Sequence, residues 1–288
     1  MEIAIITGGD SLEKEIALKG AKAVEDSLKK LGHRVSVLEI DKDLCTRLKE
    51  LKPQKAFIVA HGSYGEDGKV QGLLEILGIP YIGSNTKTSA ICMDKDFSKQ
   101  IFVQNDIKTP RWKAYKKKDI IDWDTFPCIA KPASSGSSFG LFKVEDDITL
   151  KKAAQNIFEI DDKLIIEEFI EGKDMTVGYF KGTILDPIEI IPKKGIYDFE
   201  SKYTKGMSEY VFVEDDSLTR KLKDITKKIV DIFEIKDMAR VDFRVREDDI
   251  YALEINTIPG LTELSLLPMA LKKMGISFDK MVEMLIDG

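Results

Sequence analysis

Cysteine, histidine and tryptophan are all scarce: 288 residues include three cysteines, two histidines and two tryptophans. Cys45, Cys92 and Cys128 lie far apart, are odd in number and form no CxxC pair. A disulfide framework is therefore excluded, and unpaired, mostly buried thiols in a reducing cytoplasm are expected. Two histidines leave little room for a His-rich metal site. No apolar run is long enough to span a bilayer, and no signal-like segment precedes the first apolar strand, so no membrane partner is expected. An excess of positive charge is missing too. Lys and Arg number 44 against 50 Asp and Glu, a formal net charge of -6, which argues against a nucleic-acid partner. The longest basic run, Lys116 to Lys118, reads as a solvated loop or helix end. Two phosphate motifs are also absent: there is no GxxxxGK[ST] loop, and no GxGxxG follows the first strand.

What is present describes a folded chain. Hydrophobic residues make up 43% and charged residues 33%, a globular composition. The length allows two or three subdomains. The first third alternates strand and helix: a strand over Ile3–Ile6 ending at Gly8-Gly9, a helix carrying Leu12, Ile16, Val24, Leu28 and Leu31, and strands at Val35–Ile40 and Phe57–Ala60. A helix over Val70–Leu77 stops at Gly78, and Tyr81-Ile82 forms a short strand. His33, after Gly32, reads as a turn residue. This βαβ rhythm predicts a parallel sheet with ligands at the strand carboxyl ends. A single helix is expected over Thr86–Gln104, then strands at Cys128–Lys131 and Leu164–Glu167 with a helix near Leu150–Phe158 between them. Strands at Met175–Tyr179 and Ile184–Ile191 precede a polar stretch, Lys193 to Tyr210, of a length usual for functional lids or disorder. An amphipathic helix follows over Leu218–Phe233, then two strands and two short helices.

The two late strands, Ala239–Val245 and Ile250–Asn256, flank a turn at Arg246 to Asp249. Centred near Asp248, the hairpin sets Asp242 opposite Glu254, with Asn256 on the same face. Facing carboxylates repel each other, and a hard cation would compensate: two carboxylates and an amide oxygen suit Mg²⁺ carrying phosphate oxygens. A different register would leave a plain solvated acidic face. Upstream, Lys131 ends a strand and enters a Ser/Gly-rich loop, Ser134 to Gly140, which either is bland or folds its N–H groups over phosphates beside the lysine. Lys95 offers a second ammonium from a helix in the same region. The strand through Glu167 and Glu168 runs via Phe169 into Ile170. Its backbone either reads an adenine edge, with Asp174 accepting from ribose hydroxyls, or is an ordinary edge strand with exposed acids.

Several segments in order carry a resemblance: Gly8-Gly9 with Glu13-Lys14-Glu15, His61-Gly62 with Gly65-Glu66-Asp67-Gly68, Met93-Asp94-Lys95, and Lys131-Pro132 with Gly136-Ser137-Ser138. Tyr197-Asp198, Lys202-Tyr203, Arg240-Val241-Asp242, Glu254-Ile255-Asn256-Thr257, Pro259-Gly260, Leu264-Ser265-Leu266 and Pro268-Met269 complete it. Over essentially its whole length the chain resembles the D-alanine–D-alanine ligases of the ATP-grasp superfamily. The resemblance implies an α/β (α+β) fold of three domains: a Rossmann-like N-terminal domain over 1–85, a central ATP-grasp subdomain over 86–175, and a C-terminal one over 176–288 with a lid near 193–210.

It also implies the chemistry. One D-alanine carboxylate takes the γ-phosphoryl group of ATP, and the amine of a second D-alanine attacks the acyl phosphate, giving a dipeptide for peptidoglycan. Asp242, Glu254 and Asn256 match the ligands of one or two Mg²⁺ or Mn²⁺ ions. Lys95 and Lys131 match the phosphate-binding lysines, with Ser137 and Ser138 in the phosphate loop. Glu167, Glu168, Phe169, Ile170 and Asp174 fall on the adenosine site, Asp174 standing where the family more often has glutamate. Glu15 matches the acid that holds the first substrate's ammonium, and His61 a histidine near that substrate. Arg240 and the Gly260 N–H match the oxyanion donors. Ser265, also read as a helix N-cap, and Leu266 match the site of the second substrate's carboxylate. Ser137 and Tyr203, with Glu15, would link the lid to the other domains, and Lys202 would face both nucleotide and substrate. Tyr at 203 favours D-alanine as second substrate over D-lactate or D-serine. A homodimer is the family's usual state. A non-catalytic nucleotide-binding regulator on the same scaffold would have lost Arg240 or the metal ligands.

Overall fold

A computed structural model describes residues 1–9, 14–136, 138–193 and 206–287. The first sheet comprises β1 (Glu2–Thr7), β2 (Arg34–Glu39), β3 (Lys55–Val59) and β4 (Tyr81–Ile82), in the order β2-β1-β3-β4. Every pairing is parallel, as the βαβ rhythm predicts. β1 is apolar on both faces because both are covered. Ile3 and Ile5 meet Val24 and Leu28 of α1 (Lys14–Lys30), whereas Ala4 and Ile6 meet Leu44 and Leu48 of α2 (Leu44–Leu51) and Leu74 of α3 (Lys69–Leu77). The sequence reading leaves α2 unassigned, although its Leu44 and Leu48 stand at the four-residue spacing of one helix face.

The helix expected over Thr86–Gln104 is two helices: α4 (Thr86–Met93) and α5 (Lys95–Gln104). Asp94 breaks it. Its backbone is extended, and its carboxylate accepts from the N–H groups of Asp96 and Phe97 and from the Lys163 ammonium, an N-cap bond that an unbroken helix could not make. The break places Lys95 at the first position of α5, its own N–H donating to the Ala133 carbonyl.

A second sheet, antiparallel, has the order β5-β8-β6-β7. Its strands are β5 (Trp112–Lys116), β6 (Cys128–Pro132), β7 (Phe142–Val144) and β8 (Lys163–Glu168). α6 (Asp147–Ile157), opened by an Asp146–Thr149 capping box, covers one face through Leu150, Ala154 and Ile157.

The third sheet runs β12-β11-β9-β13-β14. It is built of β9 (Lys173–Phe180), β11 (Ile188–Pro192), β12 (Ser208–Phe212), β13 (Met238–Arg246) and β14 (Asp249–Asn256), with β10 (Thr183–Ile184) on β9. The strand expected over Ile184–Ile191 is thus divided at Leu185 to Pro187, where the Leu185 N–H turns back to the Gly178 carbonyl. Most of the expected lid lies outside the described residues, and its last residues enter β12, which pairs with β11. α7 (Asp216–Phe233) packs Leu222, Ile229 and Phe233 onto this sheet, joined by Phe102 of α5 and Cys92 of α4. After α8 (Leu266–Lys273), α9 (Phe278–Asp287) returns to α1, where Met281, Val282 and Leu285 share a core with Val24 and Leu28. None of the described helices is long and apolar enough to cross a membrane.

Candidate active site

β13 sets the floor of the site by strict alternation. Val241, Phe243 and Val245 are buried in the third sheet's core, while Arg240, Asp242 and Arg244 face the other way. Burying each apolar side chain contributes about 1.5–3 kcal/mol. A one-residue slip would bury the charged set, so the core holds the register of the polar face.

Asp242 stands opposite Glu254, and Arg240 opposite Asn256, as expected. The route to that pairing differs from the simple hairpin. The closing pair is Arg246 with Asp249, and Glu247 occupies the left-handed region at φ 53°. Counted from that turn, Asp242 would meet Leu253. An irregularity between Asp242 and Phe243 sets Phe243 against Ala252 and leaves Leu253 as the extra residue, a β-bulge that restores the carboxylate pair. Leu253 and Glu254 consequently both line the cleft.

Facing carboxylates need compensation, and here cations of the chain supply it. Arg240 binds Asp242 through two 2.9 Å hydrogen bonds, Nε to Oδ1 and the terminal NH2 to Oδ2, and the Thr176 hydroxyl donates to Oδ1 at 2.6 Å. The Lys95 ammonium lies 3.4 Å from Glu254 Oε2. Repulsion alone therefore does not demand a metal. The donor set still fits one: two carboxylates in register, with an amide oxygen two residues along. The Asn256 oxygen accepts from the Ile258 N–H at 3.0 Å, a bond that fixes its position and leaves a second lone pair.

Above this floor, between the second and third sheets, lies a cleft of about 930 Å³ including its open mouth. Lys95, Lys131 and Ser138 line it together with Glu167, Glu168, Phe169, Ile170 and Asp174, with Asp242 and Glu254 below. The buried Lys95 ammonium also donates to the Ser135 carbonyl at 2.7 Å, tying the helix start to the Ser/Gly loop. Ser138 sits in that loop at φ 57°.

Glu167 is buried against two lysines. Lys131 donates to its Oε1 at 2.6 Å, and the Lys99 ammonium lies 2.8 Å from Oε2. Burial pushes the Glu167 carboxyl up, but the Lys131 and Lys99 charges override it and hold the group below the usual carboxylate range. Oε2 is fully buried and its neighbour is the Lys99 ammonium.

Several members go beyond the sequence reading. Arg244 pairs with Asp174 at 2.6 Å and donates from Nε to the Ile170 carbonyl at 2.9 Å, so that carbonyl already takes one hydrogen bond from the protein. Its position two after Asp242 is the signal in the sequence that points to it. Ile129, Met175, Ile190 and Phe139 supply apolar walls. Lys99 and Thr109 carry no local signature, since their partners are distant in sequence.

Glu15, His61, Gly260, Ser265 and Leu266 lie off this cleft's lining, as do Arg240 and Asn256. Glu15 is exposed in the first turn of α1. His61 is buried just past the carboxyl end of β3, beside a loop in which the Gly62 N–H donates to Glu66 at 2.7 Å. A Cβ on Gly65 would come within 2.0 Å of the Ala60 carbonyl oxygen, so only glycine closes this loop. Gly260 is close-packed too: a Cβ there would lie 2.8 Å from Ser265 Oγ. Ser265 holds the N-cap position of α8, ahead of the buried Leu266, but its side chain makes no cap bond. Its hydroxyl instead bonds Thr262, accepting from the N–H at 3.1 Å and lying 2.9 Å from the hydroxyl. Capping is thus by position alone, and the Ser265 side chain leaves the first N–H groups of α8 uncovered. Ser137, Lys202 and Tyr203 lie outside the described residues.

Comparison with known proteins bears on the family and the fold. A family profile described as "D-ala D-ala ligase C-terminus" matches residues 98–287, and one described as "D-ala D-ala ligase N-terminus" matches residues 45–84. The chain is 51% identical to a D-alanine–D-alanine ligase of Aquifex aeolicus, covering 99% of this chain and 100% of that protein. It is similar to the crystal structure of D-alanine–D-alanine ligase from Bacillus anthracis complexed with ATP, with a TM-score of 0.88 at 32% identity, covering 100% of this chain and 96% of that one. It also resembles the VanG D-Ala:D-Ser ligase from Enterococcus faecalis, with a TM-score of 0.83 at 27% identity over 99% and 98% of the two chains.

Proposed function

The chain belongs to the D-alanine–D-alanine ligase family, and on that footing we propose that it joins two D-alanine molecules, driven by ATP, in the cleft between its second and third sheets. The observation that carries this assignment to particular residues is the register of β13 and β14. It sets Asp242 against Glu254, with Arg240 beside them, at the floor of a cleft whose wall offers two lysines and the Glu167 carboxylate. We take the chain as three lobes, 1–85, 86–175 and 176–288, with the substrates meeting where they converge.

Transfer of a phosphoryl group to a carboxylate rests mainly on positioning and charge neutralisation. Glu167 accepts from the exocyclic amine of adenine, Ile170 offers its N–H to the ring, and Asp174, held by Arg244, faces the ribose. Lys131, Lys95 and the N–H groups around Ser138 hold the phosphates. Asp242, Glu254 and Asn256 would hold Mg²⁺ or Mn²⁺, which when bound offsets charge on the phosphate oxygens. Glu15 binds the first D-alanine's ammonium, with His61 nearby. Arg240 and the Gly260 N–H meet the oxyanion formed when the second amine attacks the acyl phosphate, while Ser265 and the N–H of Leu266 at the α8 N-terminus receive the second carboxylate. The lid carrying Lys202 and Tyr203, linked through Ser137 to Glu15, keeps water from the acyl phosphate. We place the protein in the cytoplasm as a homodimer.

Purified protein with ATP, Mg²⁺ and D-alanine should release phosphate and D-alanyl-D-alanine in equal amounts. Phosphate release that does not depend on D-alanine would sink the proposal. The likeness to a D-Ala:D-Ser ligase supports a second reading, with D-serine or D-lactate as acceptor. Offering the three acceptors together and reading products by mass spectrometry separates the two, and Tyr203 favours D-alanine.

A further inference from the structure

Behind the cleft wall lies a cation to which the proposed chemistry gives no task. Lys99 of α5 has a wholly buried side chain, as deeply enclosed as the core residues Phe57 and Phe102. It does not line the cleft. An unaided buried ammonium is costly, and burial pulls this one down to about 8 against the opposing charge of Glu167. Its neighbours are specific. Glu167 Oε2 lies at 2.8 Å, the Thr109 hydroxyl at 2.7 Å and the Trp112 ring centroid at 5.7 Å. Thr109 in turn donates to the Ala252 carbonyl at 2.7 Å, and the Ala252 N–H donates to the Lys108 carbonyl at 2.8 Å. Ala252 adjoins the bulge that brings Glu254 opposite Asp242.

The charges around Glu167 do not balance in pairs. One carboxylate sits between two ammoniums, Lys131 on the cleft side and Lys99 behind. With both lysines the cluster is net positive. With Lys131 alone it would be neutral, and the lysine facing the ligand would be taken up by its own neighbour.

Given that the cleft takes ATP, we propose that Lys99 is a positioning residue for the nucleotide: it neutralises Glu167 from behind, which leaves the positive charge of Lys131 to an anionic ligand and holds the Glu167 carboxylate in place. Through Thr109 and Ala252 the same lysine ties the nucleotide wall to the carboxylate hairpin. Lys99 touches neither substrate nor reacting atoms.

The test is a charge cycle read by ATP titration calorimetry with Mg²⁺ present, on the wild type, Lys99→Met, Glu167→Gln and the double variant. Wild-type protein that binds no ATP would refute the assignment of the cleft, independently of Lys99. If it binds, Lys99→Met is expected to weaken ATP about tenfold or more, the scale of one unit charge removed at intermediate dielectric. The KM for D-alanine should stay within about twofold. Adding Glu167→Gln to Lys99→Met restores the net charge, so the double variant should bind ATP more tightly than Lys99→Met alone. A purely structural role predicts the reverse, because the second lesion only adds damage. Lys99→Gln, which keeps a donor for Thr109 without the charge, replaces the methionine variant if that one does not fold. ATP affinity within twofold of wild type in the neutral variant, or a double variant no better than the single, overturns the inference.

Discussion

Replacing Asp242 with asparagine separates what this residue does for the fold from what it does for the reaction. Its carboxylate takes two hydrogen bonds from Arg240 and one from Thr176, with the ion-paired side chains only 12% and 13% exposed. Breaking a buried pair from one side costs roughly 3–5 kcal/mol. Asparagine keeps one acceptor for Arg240 or Thr176, which returns about half, so we expect a loss of about 2 kcal/mol. For a chain of this size that lowers Tm by roughly 3 °C. Turnover should fall at least ~100-fold, a barrier increase of about 2.7 kcal/mol or more, because the proposed metal site loses a donor and Arg240 loses its anchor. Pairing the change with Arg240→Met removes both charges. Thermal stability should then recover, since neither charge is left alone, while turnover should not. Differential scanning calorimetry and D-alanine-dependent phosphate release read the two effects. Turnover of Asp242→Asn within threefold of wild type, or recovery of turnover in the double variant, would refute the placement of the reaction on this hairpin.

Three further outcomes follow from the geometry. Gly260→Ala puts a Cβ 2.8 Å from Ser265 Oγ; steady-state kinetics should show the KM for the second D-alanine rising about tenfold or more with the KM for ATP little changed, as expected when a positioning group is displaced by a fraction of an ångström. Arg244→Met strips the partner from Asp174 and the donor from the Ile170 carbonyl; calorimetry should find ATP bound about tenfold more weakly, the scale of one lost hydrogen bond to a charged group, with the acceptor preference unchanged. Burial pushes the Cys92 thiol up, and it pushes Cys128 up to about 11 with help from the Glu145 charge. Since Cys45 is only partly buried, a thiol-reactive chromophore at pH 8 should label one cysteine quickly in the native protein and all three in denaturant.

Much of the fold and of the site floor is legible in the sequence because the signals are periodic and local. The run Ala239–Val245 alternates strictly, so the pattern alone puts Arg240 and Asp242 on one face, and the same count extends to Arg244. Apolar runs bounded by glycine likewise mark β1, β3 and α3. The misses have physical causes. Leu253 looks like any strand residue, because a bulge is a property of a pair of strands and not of either one. The break at Asp94 is hidden by good helix formers on both sides; it becomes visible only once Lys163, far along the chain, is brought to its carboxylate. The double pairing of Glu167 joins residues on α5, β6 and β8, and no spacing along the chain encodes that meeting. Glu15, His61 and Gly260 rest on the family resemblance, since by themselves they read as a helix-start acid, a strand-end histidine and a turn glycine.

The return of α9 to α1 has a consequence for how the chain acquires its shape. The apolar face of α1, around Val24 and Leu28, is closed by Met281, Val282 and Leu285, and Lys30 meets Asp279 across 249 residues. During synthesis at roughly 5–20 residues per second, that face waits on the order of 10–50 s for its cover. The parallel sheet, made first, is therefore finished last, and through that interval its uncovered leucines and valines are what a ribosome-associated chaperone would encounter.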